Sequence, residues 1–234
     1  NQVSSVETPN LVTIEGDLKA EIYSDYEAKL NEINTSEVDQ TEKELQKWEF
    51  EREILDRLDE KKNALDKQIA KDGETPQLKA EKEIIAKLVA EQNAKIDEAQ
   101  LKAFESAASS EKYSDLISTV DPSYEEEISK AKETNSSQEV IEREAELQEK
   151  ITKEIAKKEK SLERKYSVSL ELDLMILRNE LEESKTRQEA AKNGVESISS
   201  TADKNRFVEE LRAELLPANS GQLTNNYTTL AELQ

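Results

Sequence analysis

Apolar residues recur along most of this chain at steps of three and four, the period of helices that turn one face inward. The clearest run, 36–109, reads as two long helices joined by one sharp turn. On the first arm the stripe is Val38, Leu45, Trp48, Leu55, Leu58, Leu65 and Ile69. Its phase slips between Trp48 and Leu58, around Arg52, and Phe50 and Ile54 add apolar surface beside it. A two-stranded pairing would leave part of that widened face wet, so a third segment is expected to cover it. The second arm answers with Leu78, Ile85, Leu88, Val89, Ile96 and Phe104. Between the arms, Asp72-Gly73-Glu74-Thr75-Pro76 puts a glycine after one helix end and a proline at the next helix start, which predicts a reversal near 72–76. Ser36 reads as the N-cap of the first arm, with Glu37 and Asp39 in its first turn.

Upstream, Leu18, Ile22, Tyr26, Leu30 and Ile33 predict one helix over 15–33, preceded by a linker or N-terminal extension at 1–14. Downstream, Ser109-Ser110 closes the long pair, and short helices are expected over 111–120 and 124–132, parted by Asp121-Pro122-Ser123. A further long segment, 137–198, carries Val140, Leu147, Ile151, Ile155 and Leu162 on its first part. Beyond it, Val168, Leu170, Leu172, Leu174 and Ile176 alternate with other residues as a strand would. Leu170, Leu174, Leu177 and Leu181 fit a helix equally, and leucine with no partner strand elsewhere favours helix. Whether Tyr166 to Ser169 is a turn or the middle of one very long helix stays open, since neither Gly nor Pro marks it. The tail reads as a helix stop at Asn193-Gly194, a short amphipathic helix through Phe207, Leu211 and Leu215 ending at Pro217, and a polar linker.

An internal repeat emerges from these elements. Asn34-Thr35-Ser36-Glu37-Val38 with Glu44-Leu45-Gln46 returns about a hundred residues later as Asn135-Ser136-Ser137-Gln138-Glu139-Val140 with Glu146-Leu147-Gln148. Tyr26-Glu27-Ala28-Lys29-Leu30 has the pattern of Tyr124-Glu125-Glu126-Glu127-Ile128, although two Glu/Lys-rich helices can resemble each other by chance. The expected fold is therefore all-α: elongated antiparallel long-helix hairpins, coiled-coil-like, with short packing helices, in two tandem units. The units are expected at 15–110 and 111–217, with 218–234 a linker and the start of a further unit.

Composition narrows what such a chain can do. Only 35% of residues are hydrophobic against 37% charged, which suits a thin core and long solvated faces. The net charge of −20 repels nucleic acid phosphates and anionic lipid surfaces, so no nucleic-acid partner is expected. No apolar run approaches the ~20 residues that span a bilayer. There is no Cys, which excludes disulfides and thiol chemistry and suits an extracytoplasmic or cell-envelope setting. The chain opens on Asn1 with no signal-peptide pattern, so it is read as an excerpt from a longer protein.

Candidate chemistry is sparse. The absence of His removes His-based triads and His-ligated metals, and no glycine-rich phosphate loop occurs. Paired carboxylates such as Glu81 and Glu83, or Glu125, Glu126 and Glu127, sit among lysines and read as a solvated helix face. Lys71-Asp72-Gly73-Glu74 is too short to wrap calcium. No catalytic, cofactor or metal residues are assigned. The one candidate hub is Trp48, Phe50 and Ile54, either a docking hot spot or, the more ordinary reading, the place where short helices pack on the long pair. The expected function is a non-enzymatic spacer or scaffold segment of a larger repetitive protein. The alternative is a protein-interaction module using an acidic or aromatic helical face, with self-association also open.

Overall fold

Hydrogen-bonding residues at the helix ends set the architecture before any packing is considered. The computed structural model describes residues 9–194, over which the chain forms eight helices and no strand. They run α1 (Leu11–Ile22), α2 (Tyr26–Thr35), α3 (Gln40–Asp72), α4 (Pro76–Ala108), α5 (Glu111–Val120), α6 (Tyr124–Glu133), α7 (Ser137–Arg164) and α8 (Val168–Lys192). The order is therefore two short helices and two long ones, twice. Residues 1–8 and everything after 194, including the expected Phe207–Leu216 helix and the possible further unit from Tyr227, lie outside the described residues.

Two compact units divide the chain, and the division falls inside α3 and α4 rather than between helices. In the first, over 9–38 and 46–99, one apolar cluster joins Ile14, Leu18 and Ile22 of α1, Ile33 of α2, Phe50, Ile54, Leu58 and Leu65 of α3, and Leu78, Ile84, Ile85 and Leu88 of α4. The short helices thus supply the third segment that the widened α3 face demanded. The buried face of α3 differs from the expected stripe in detail. Ile54 is fully buried where Leu55 is only partly so, because the inward face turns at the phase slip, and Val38 is exposed and precedes the first residue of α3.

The helix expected over 15–33 is two helices instead. The first begins at Leu11, where the Asn10 side chain accepts from the Thr13 amide, so residues 11–14, read as part of a linker, are helical. It ends at Ile22 because Arg57 reaches over from α3. The guanidinium donates to the Ile22 carbonyl at 3.1 Å and forks onto Asp25 at 2.6 and 3.0 Å, fixing a corner at Tyr23-Ser24-Asp25. A second difference concerns the start of α3. Asp39 accepts from the Glu42 amide at 2.9 Å and acts as the cap, while the Ser36 hydroxyl donates to the Ile33 carbonyl and closes α2.

The 72–76 reversal has the expected form. Gly73 takes φ +86°, its amide donates to the Ile69 carbonyl, and the Thr75 hydroxyl accepts from the Leu78 amide beside Pro76, the first residue of α4. Lys82 meets Asp66 at 2.8 Å, so α4 starts its return alongside α3.

The second unit takes in 39–45 and 100–194. Ser110 caps α5, Ser136 caps α7 and Ser167 caps α8. The chain at Lys165, Tyr166 and Ser167 is a turn, not mid-helix, and both Lys165 and Ser167 are extended. From it α8 runs back along α7: Lys158 meets Asp173 near the turn, Gln148 meets Ser184 farther on, and Gln188 donates to the Ile141 carbonyl farther still. The helix reading of 168–176 holds. Its alternating look arises because Leu172, Leu174, Met175, Ile176 and Leu177 are all buried, leaving this stretch nearly no polar face.

Candidate functional site

Short helices carry tyrosines, and long helices carry glutamates, and in each unit the structure brings one of each together in the interior. In the first, Tyr26 of α2 donates its hydroxyl to the Glu51 carboxylate of α3 at 2.6 Å. Gln92 of α4 then donates to the other Glu51 oxygen at 2.6 Å and to the Glu51 main-chain carbonyl at 2.8 Å. Tyr23 donates to the Gln92 side-chain oxygen at 3.2 Å, and its ring meets that of Tyr26 edge to face. The Lys95 ammonium stands 4.4 Å from the Tyr26 ring centre and 5.1 Å from that of Tyr23.

The second unit repeats the motif with richer charge. Tyr124 of α6 donates to the Glu144 carboxylate of α7 at 2.7 Å. Ser184 of α8 donates to the other Glu144 oxygen at 2.7 Å and lies 3.3 Å from the Glu144 main-chain carbonyl. Arg187 forks onto Glu144 at 2.8 and 3.2 Å and donates to Glu180 at 2.6 Å, with Glu183 at 3.6 Å. Tyr113 of α5 donates to Glu180, and Asn179 donates to both Tyr113 and Glu183. Beside this network Asp121, at the head of α6, takes Arg143 at 2.8 Å and Lys150 at 3.0 Å.

Electrostatics follow from burial. The four tyrosines are held protonated: burial raises each first, and nearby carboxylates add to it, with Tyr23 pushed up to about 12. For Arg187, burial pulls downward, but Glu180, Glu144 and Tyr124 outweigh it and hold the guanidinium above its ordinary value. For Asp121, burial pulls upward, while the Lys150 and Ser123 hydrogen bonds and the Arg143 charge hold its carboxyl below the usual carboxylate range.

The sequence-derived hub lies close to the first of these motifs. Phe50 is buried with its ring 5.6 Å from that of Tyr26, Ile54 is fully buried in the same apolar cluster, and Trp48 is fully buried with no hydrogen-bond partner for its indole N–H. All three are buried. An open groove of about 1050 Å³ lies in the second unit, lined by seven carboxylates, among them Asp39, Glu111 and Asp115, against Lys102 and Lys112. It includes none of the tyrosine–glutamate residues. Among the described residues no cluster of three potential ligands is placed to hold a metal, and no helix is long and apolar enough to cross a membrane.

In the sequence Tyr26 stands out as part of an apolar stripe, and Tyr26 and Tyr124 as repeat markers, while Glu51, Gln92, Glu144 and Arg187 do not stand out as site residues. Nothing in a chain with 53 acidic residues sets two glutamates apart. Gln92 did leave a trace, since it sits at 0% exposure between Leu88 and Ile96 where the stripe has a gap. Comparison with family models, with curated proteins and with solved structures returned no match.

Proposed function

We propose that this chain is a non-enzymatic structural segment, a spacer or scaffold built from two related helical units, each a pair of short helices bound to an antiparallel, coiled-coil-like hairpin. The carrying observation is that Glu51 and Glu144, one in the interior of each unit, are spent on bonds between helices. Glu51 and Glu144 each have carboxylate and main-chain carbonyl approached by one side chain of the returning helix, and a tyrosine from a short helix occupies the remaining oxygen. Such groups bind one helix to another, the role expected of a structural element. The recurrence of this arrangement, and of the short–short–long–long order, supports duplication.

The test is replacement. Exchanging this segment in its parent protein for an unrelated helical segment of equal length should preserve the parent's activity if length and stiffness are what it contributes. Loss of activity with the parent still folded would overturn the reading. The acidic groove favours a second reading, docking of a basic protein surface. Capture of a basic partner that weakens as salt rises would support it, and no capture at low salt would remove it.

A further inference from the structure

The two long-helix reversals are not specified in the same way, and this difference points to what the buried charges of the second unit do. The α3–α4 turn is written locally: Gly73 takes a left-handed conformation that other residues resist, and Pro76 can only begin a helix. The α7–α8 turn has neither. Lys165 and Ser167 are extended, a conformation open to any residue, and the Ser167 cap bond to Leu170 is 3.5 Å long. Ser161 and Ser169 offer the same capping chemistry a few residues to either side. The apolar stripe chooses only in part: Leu170 and Leu177, like Leu174 and Leu181, repeat at seven residues and survive a one-heptad slip, whereas buried Leu172 and Ile176 would give way to Asn179 and Glu183 or to Lys165 and Ser169.

The polar groups choose more sharply, at the buried Glu144. A slip in one direction brings Leu177 and Glu180 to where Ser184 and Arg187 now meet Glu144, leaving a fully buried carboxylate opposite a leucine and a like charge. The opposite slip brings Ala191 and Gly194, which cannot donate from a side chain at all. Either register strands Glu144.

We propose that the Glu144–Ser184–Arg187 network sets the register of α8 on α7 and thereby places the turn, a task that Gly73 and Pro76 perform in the first unit. This rests on the antiparallel pairing proposed above, but its failure would be distinguishable, since pairing can persist in the wrong register.

The full chain contains no Cys, so introduced pairs report without background. Glu159 and Arg178 meet at 2.8 Å on the surface, so Glu159→Cys with Arg178→Cys marks the native register. Glu159→Cys with Glu171→Cys or with Lys185→Cys marks a slip of one heptad either way. With the network intact, a short bismaleimide should bridge the native pair far more than either shifted pair. In the apolar background Glu144→Leu, Ser184→Ala, Arg187→Met, the ratio of shifted to native product should rise about tenfold or more, the change expected from removing about 1.4 kcal/mol of discrimination. In the first unit, Glu51→Leu with Gln92→Leu should leave bridging of Asp66→Cys to Lys82→Cys unchanged relative to Val89→Cys. An unchanged ratio in the apolar background would overturn the proposal. So would loss of helix there, because it would mean the network holds the fold rather than chooses its register. Failure of both products would refute antiparallel pairing itself.

Discussion

Arg187 offers a controlled test of burial as the variable that decides what an ion pair is worth. On α8, Arg187 meets Glu144 at 2.8 Å and Arg178 meets Glu159 at the same distance. The side chains of the first pair are 10% and 0% exposed, those of the second 58% and 46%. Coulomb attraction at equal distance is the same only where the medium is the same, and the surface pair is screened by water and mobile. Replacing Arg187 by Met keeps most of the packing volume but leaves Glu144, Glu180 and Glu183 facing one another with no cation. Removing one partner of a buried pair costs about 3–5 kcal/mol, whereas Arg178→Met should cost below about 0.5 kcal/mol. For a unit of roughly a hundred residues, the larger loss corresponds to a fall of at least about 12 °C in Tm. Arg187→Lys retains the charge without the planar fork and should fall between the two. Urea unfolding followed by circular dichroism gives the values, provided the slope with denaturant is unchanged. A loss under about 1 kcal/mol for Arg187→Met would refute the argument.

Three further outcomes follow from named groups. The tyrosines whose ionisation is raised by burial contribute stability that is full below their ordinary value of 10.0 and is lost as pH rises through the folded values. Each should cost about 1.4 kcal/mol per pH unit in that window, so tyrosinate absorbance should appear together with loss of helix, and separate transitions would contradict this. Asp121 has the opposite sign: held below its ordinary 3.8, it stabilises above that value and its contribution is lost as pH falls through the folded one. Asp121→Asn should therefore flatten the acid limb of the stability curve, and an unaltered limb would exclude the assigned role. Gly73→Ala forces an alanine into φ +86° and should destabilise by about 1 kcal/mol or more in urea unfolding, while a neutral effect would mean the turn relaxes freely.

What could be read in the sequence was whatever repeats or punctuates. Leu, Ile and Val at helical spacing marked the all-α class, but not the α1–α2 corner, where the pattern Leu18, Ile22, Tyr26 continues unbroken across a bend. That bend is made by Arg57, far along the chain, and no local signal announces a long-range guanidinium. Gly73 and Pro76 marked their turn because each residue type has one conformational use there. Lys165 to Ser167 did not, since nothing in an extended turn demands a particular residue. The interior hydrogen bonds were hidden for the same reason in another form. A glutamate on α7 is one among many until the helices pair and Tyr124, Ser184 and Arg187 arrive from three separate places.

The central claim is that a tyrosine on a short helix and a glutamate on a long one are joined for structure, not chemistry. A double-mutant cycle with Tyr124→Phe and Glu144→Gln measures that join directly. The account predicts a coupling of about 1–2 kcal/mol with helix content retained in all four proteins. Additive losses, with coupling within about 0.3 kcal/mol of zero, would contradict it.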